Sequence, residues 1–346
     1  MDNNLAGEKT IGDSMSLEIL TSRIKLPPLP TNGIKLLDMS QQHMDKIDIA
    51  SFAKLVEIDP GLFASVLQLA NSPYYKGIDK VISLRSAITR IGLSETINST
   101  CLYFFQKTLP ELPAITGFSS KDYWAFSWAC AVANRRLGHP NLDMGVLPGE
   151  LYIAGLLHGM GKLLIAIHYP HEFAKCLKMA KEHKLPLYKI EQDVFGTTDT
   201  FIASKIMETW NLPANICAGV AFYQKPESAP AQYQEIAGLT QLAYSIAAKS
   251  EIGSSGDGNI EDPTSIYICQ QPNLKLHKKD IQEKLIQEIL SLVQEKSESI
   301  AGESSPESSS KTTNKKNHSN GIDREKISIT KPEKKGIFAR IKSLFN

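Results

Sequence analysis

The stretch Tyr152-Ile153-Ala154-Gly155-Leu156-Leu157-His158-Gly159-Met160-Gly161-Lys162-Leu163-Leu164-Ile165 carries an apolar helix into a histidine flanked by glycines. A helix that is apolar on every side belongs inside a folded body, so this run predicts the core of a helical domain. His158 stands at its end, where a buried histidine is either a hydrogen-bonded structural group or part of a ligand set. Gly159 beside it has no oxygen to offer a hard cation. Gly161-Lys162 reads as a turn, with Lys162 near helix-end carbonyls that favour a cation; a phosphate contact is the second reading.

Outward from this run the spacing of apolar residues is helical almost throughout. Ser14 predicts a cap for a helix through Leu17, Leu20 and Ile24, ended by Leu26-Pro-Pro-Leu-Pro30. Thr31, Asp48, Asp59-Pro60 and Ser83 predict four further starts, and Gly92 a left-handed stop. Three turn formers, Pro110, Pro113 and Gly117, separate an N-terminal half (14–112) from a second half (119–224). Helices over about Gln232–Lys249 and Lys279–Lys296 flank a glycine-rich loop and form an extension, 225–297. Thr264–Cys269 is the only strand candidate, so the expected class is all-α.

At 346 residues with 42% hydrophobic and 22% charged, the chain has room for more than one module, and a net charge of +1 selects neither nucleic acid nor membrane. No apolar run is long and uninterrupted enough to span a bilayer, and residues 1–13 read as a polar, flexible N-terminus. The expectation is a cytoplasmic protein. Five scattered cysteines give no zinc or disulfide pattern. Residues 298–335, rich in Ser, Lys, Asn and Glu, predict a disordered linker. In 336–346, Ile337, Phe338, Ile341, Leu344 and Phe345 share one helical face. That face predicts a docking helix, for a protein surface first and peripheral membrane contact second.

Taken in order, Leu26-Pro-Pro-Leu-Pro30, Ile58-Asp-Pro60, Leu69-Ala-Asn-Ser72 with Tyr74-Tyr75, Ser83-Leu84, Gly155-Leu-Leu-His158, Gly161-Lys162 and Trp210-Asn-Leu-Pro213 resemble the HDOD family, the HD-related output domains of bacterial signalling proteins. The resemblance implies a bundle in two helical halves, related to metal phosphohydrolases. In those relatives an aspartate follows the histidine, where Gly159 stands here. It also implies that Phe126, Asp199, Tyr223 and Gln224 occupy positions where such relatives often carry histidines. His158 alone survives from that ligand set. The residues at these positions therefore predict no catalytic residue, no metal ligand set and no cofactor, with His158, Gly159 and Lys162 as a vestigial motif.

Asn71, Ser72, Tyr74 and Tyr75 are the candidate interaction surface, against a bland reading in which Asn71 ends a helix and the tyrosines pack the halves together. The functional expectation is a non-catalytic regulator that binds other signalling proteins, in pathways such as cyclic di-GMP signalling, motility, chemotaxis or stress. No receiver, diguanylate cyclase or phosphodiesterase module is recognised, so input is expected from a separate partner or through the protein's own pocket. Two alternatives stay open: a phosphohydrolase with an atypical metal site using His158 and Asp199, and a small-molecule or nucleotide sensor using the vestigial pocket.

Overall fold

The computed structural model describes residues 29–301 except 76, 140, 141 and 143. The expected helix over 14–24, the linker and the amphipathic segment 336–346 lie outside the described residues. Within them the structure is helical, with one isolated bridge between Ile115 and Phe118 and no strand.

The N-terminal half comprises α1 (Thr31–Ser40), α2 (Ile49–Ile58), α3 (Pro60–Ala70), α4 (Leu84–Ile91) and α5 (Leu93–Thr108). Their starts follow capping chemistry. Asp48 accepts the Ala50 amide at 3.0 Å, and Asp59 accepts those of Gly61 and Leu62 at 2.9 and 3.1 Å, with Pro60 in the first helical position. Ser83 accepts the Ser86 amide at 3.2 Å, and Gly92, at φ +83°, separates α4 from α5. Thr31 is not the cap expected of it: the Pro30 carbonyl already accepts from Gly33 and Ile34, so Thr31 lies inside the helix. Helices α1 and α3 both pack on α5.

The second half runs α6 (Ser120–Leu137), α7 (Pro148–Leu157), α8 (Met160–His168), α9 (Pro170–His183), α10 (Leu187–Phe195), α11 (Asp199–Thr209) and α12 (Ala214–Phe222). The apolar stretch 148–168 is the buried heart of this half, broken into α7 and α8 at His158-Gly159. Beyond residue 224, α13 (Gln234–Lys249) lies against α6 and α12 and buries Ile236, Leu239, Leu242 and Ile246 in the same core. The strand candidate Thr264–Cys269 is instead two 3-10 turns, Pro263–Ser265 and Tyr267–Gln270. Asp262 accepts the Thr264 amide at 2.9 Å and winds the chain, leaving no extended edge to pair.

Helix α14 (Lys279–Ala301) crosses back to both halves. Its Lys296 reaches Glu95 of α5 at 2.8 Å, and the same carboxylate takes Arg135 of α6 at 3.1 Å. The halves also meet where Trp210 stacks on Phe105, ring centroids 6.1 Å apart, and where Tyr152 donates to the Asn98 carbonyl at 3.1 Å. All five cysteines are buried and unpaired.

Candidate functional site: the buried pocket of His158 and Lys162

His158 follows the last residue of α7, and its Nδ1 meets the Gly155 carbonyl at 2.6 Å. A carbonyl only accepts, so Nδ1 carries the proton and Nε2 alone is left for another contact. Phe126, Tyr223 and Tyr244 enclose the ring at centroid distances of 5.8, 5.4 and 5.2 Å. Burial in this aromatic box, together with the nearby Lys162 charge, lowers the imidazole pKa to about 3. The ring is therefore neutral near pH 7.

Gly159 and Gly161 matter for what comes close to them. A Cβ at Gly161 would stand 1.8 Å from the Asp199 carbonyl oxygen, so only glycine lets α8 lie this near the start of α11. A Cβ at Gly159 would stand 3.0 Å from Cε2 of Tyr123. The place an aspartate side chain would enter is thus already crowded by a buried tyrosine ring.

Lys162 departs from the sequence expectation. It sits in the first turn of α8, the positive end of the helix, and its side chain is fully buried. The turn expected at Gly161-Lys162 is helical because Met160 to Ile165 continue the apolar core. The ammonium Nζ lies 3.4 Å from the Tyr244 hydroxyl and 5.4 Å from the centre of that ring. Burial works against the charge, yet Tyr244, Tyr223, Asp199 and Asp257 outweigh it and hold the pKa well above the ordinary lysine value. Burial also raises the pKa of both phenols, so they are uncharged near pH 7 and the carboxylates supply the balancing charge.

Two buried carboxyls adjoin that cation. Glu191 of α10 accepts the Asp199 amide at 2.9 Å. Burial, then the Asp199 charge, push the Glu191 pKa well up, which makes Glu191 the neutral member of the pair. Burial also raises Asp199, and Lys162 opposes that rise without reversing it, so Asp199 is the less strongly raised of the two and the one that answers the ammonium. Among the described residues, Asp199 has Glu191 as its side-chain neighbour and Tyr123 has Ser127, and no further well-formed hydrogen bond reaches these buried groups. Tyr244 donates to Ser255 at 2.8 Å, which ties the loop after α13 across the pocket.

The structure thus brings Phe126, His158, Tyr223 and Lys162 together, with Gln224 donating to the Tyr223 hydroxyl at 3.0 Å. Sequence reading missed Glu191, Tyr123 and Tyr244. Glu191 had a signal, a carboxylate on the apolar face formed by Leu187, Ile190 and Phe195. This donor set does not fit a hard divalent ion: one imidazole nitrogen, two buried carboxyls whose pKa values are raised, and an ammonium among aromatic rings. Among the described residues, no three His, Cys, Asp or Glu side chains group as metal ligands would.

The second candidate surface divides. Asn71 bonds the Val81 amide and carbonyl and the Leu67 carbonyl, each at 2.8 Å, and Ser72 is buried. Tyr74 is exposed and Tyr75 half-buried. Their rings meet edge to face at 4.7 Å, with the Lys296 ammonium 5.8 and 5.9 Å from their centres.

An HDOD domain protein of unknown function from Geobacter sulfurreducens shares this fold with a TM-score of 0.65 at 22% identity, over 81% of this chain and 96% of its own. A provisionally named signal transduction protein from Marinobacter aquaeolei VT8 gives 0.64 at 22%, over 83% and 64% of the two chains. A provisionally named phosphohydrolase from Shewanella amazonensis SB2B gives 0.60 at 23%, over 80% and 97%. An uncharacterised protein of Treponema pallidum (strain Nichols) is 21% identical over 219 residues, and the match spans 63% of this chain but only 41% of that relative. These likenesses establish the fold. With the HDOD domain model matching residues 26–226, more than half of its length, the chain belongs to the HDOD domain family.

Proposed function

We propose that this HDOD protein works in signalling by binding other proteins and does not hydrolyse phosphoesters. The observation that carries the reading is the filling of the pocket: Phe126, Tyr223 and Tyr244 close around His158, Tyr123 crowds Gly159, and the Lys162 ammonium is buried against Tyr244. Two-ion phosphoester chemistry uses metals that hold both the attacking and the leaving oxygen, and nothing in this donor set replaces them. The partner-binding side of the reading draws on the loop that follows Asn71. Asn71 pins it at Val81 and Arg90 holds the Asp79 carbonyl at 2.6 Å, while Ile78 and Ile82 stand out in solvent at 103% and 75% exposure. Large aliphatic residues displayed on a braced loop are suited to a protein contact.

The test is turnover of a generic phosphodiester, bis-p-nitrophenyl phosphate, and of cyclic dinucleotides by the full chain with Mg²⁺, Mn²⁺ or Fe²⁺ present. Rates equal to the buffer blank are expected. Turnover that disappears in His158→Ala would overturn the reading and restore the phosphohydrolase alternative.

A further inference from the structure

A groove of about 940 Å³ runs between α10, α11 and α12, on a face distinct from the Asn71 loop and outside the buried His158 pocket. Each helix gives it one face at helical spacing. On α12 this face is Ala214, Cys217, Ala218 and Ala221, a floor of small side chains. On α11 it is Phe201, Ser204, Lys205 and Glu208, with Phe201 36% exposed; Leu185 closes one end at 38%. A small-residue floor between helical walls admits the large side chains of another helix at close approach. The rim carries both signs of charge, Lys189 and Lys225 beside Asp193 and Glu208.

The chain supplies a matching piece. Ile337, Phe338, Ile341, Leu344 and Phe345 fall on one face of 336–346, with Arg340 and Lys342 off that face. Eleven residues are too short to hold a helix alone in water, so this face needs a surface. Between α14 and this segment lie residues 302–335, a polar stretch with no competing apolar cluster. Fully extended, 34 residues span roughly 110 Å. The folded body has a radius of gyration of roughly 19 Å, hence a width of roughly 50 Å, so a connection of that contour length is long enough to reach any face of it. Tethering at this reach gives an effective concentration near the millimolar range, which makes the chain's own segment the first competitor for the groove.

We infer that segment 336–346 docks as a helix in the α10–α12 groove of its own chain, with Phe338 and Leu344 over the Ala218–Ala221 floor and Arg340 and Lys342 toward Asp193 and Glu208. The segment then acts as an internal ligand that masks the groove. The inference does not depend on whether the His158 pocket is catalytic.

The test uses full-length chains and a fluorescent peptide of residues 334–346. Phe338→Asp with Leu344→Asp disables the internal segment and frees the groove, so the peptide should bind this variant saturably and bind the wild-type chain at least tenfold more weakly. Adding Ala221→Trp, at a half-exposed floor position, should abolish binding while circular dichroism and melting stay unchanged. Adding Phe201→Ala, at an exposed wall position, should weaken it, and either groove variant reports if the other fails to fold. Equal binding to the wild-type and Asp variants, binding indifferent to both groove changes, or no binding would overturn the inference. So would peptide capture by anionic vesicles alone, or concentration-dependent dimers of wild-type chain in light scattering, which would assign the segment to a membrane or a second copy.

Discussion

Replacing Lys162 with methionine keeps most of the length of the side chain and removes the ammonium that faces the buried carboxyls of Asp199 and Glu191. Glu191 is already neutral in the folded protein, so the change falls on Asp199. Left without its partner, Asp199 must either stay charged in a dry site or take up a proton. Protonation caps the loss. From the ordinary Asp value of 3.8, holding the carboxyl neutral at pH 7 costs about 4 kcal/mol relative to an unfolded chain in which it is ionised. That lies within the roughly 3–5 kcal/mol seen when one partner of a buried pair is removed. In the variant the folded state binds more protons than the unfolded state above pH 3.8, so stability rises as pH falls, and at pH 5 the cap is only about 2 kcal/mol. Urea unfolding of wild type and Lys162→Met at pH 7 and pH 5 reads both numbers. Adding Asn at Asp199 should recover most of the loss at pH 7, because the double variant has neither charge. A penalty under about 1 kcal/mol at pH 7, or one independent of pH, would refute the assignment of Lys162 as the counter-charge of this pocket.

Three further outcomes follow from the same structure. His158, lowered to about 3 by burial, binds a proton in the unfolded chain but not in the folded one between pH 3 and 6.5, so stability should fall on acidification. Across pH 6.5 to 4.5, wild type should lose about 2 kcal/mol more than His158→Phe in chemical denaturation, and parallel curves would contradict a neutral buried ring. Burial raises the Glu95 pKa, but Lys296 and Arg135 outweigh it and lower it overall; Glu95→Gln should therefore cost about 3 kcal/mol and speed amide exchange in the last turns of α14, whereas unchanged exchange there would show that Lys296 does not hold the helix. Asn71→Ala removes the bonds that pin Val81 and should cost about 2 kcal/mol in melting experiments while opening the 72–82 loop to protease. An intact loop would mean that Arg90 suffices.

The helices were legible because their starts are written in local chemistry. Asp48, Asp59-Pro60 and Ser83 each place an acceptor where free amides need one. The turn at Pro263–Ser265 was not, since its β-branched and aromatic neighbours have strand propensity and Asp262 alone bends the chain. The pocket was half legible. His158, Gly159 and Lys162 are contiguous, and the missing oxygen at Gly159 follows from its identity. What fills the space comes from α6 and α13: Tyr123 lies 36 positions before Gly159, and Tyr244 lies 86 positions after His158. No spacing rule links such distant residues. Lys162 was misplaced for a related reason, because a glycine before it reads as a turn, while here that glycine admits the Asp199 carbonyl.

On the proposed reading, the protein's own side chains and the Lys162 ammonium occupy the place of a metal centre. Calorimetric titration of Mn²⁺ into full-length protein, followed by elemental analysis after gel filtration, tests it most directly. No saturable heat and no retained ion are expected. One or more Mn²⁺ ions held per chain, and lost in His158→Ala, would contradict it.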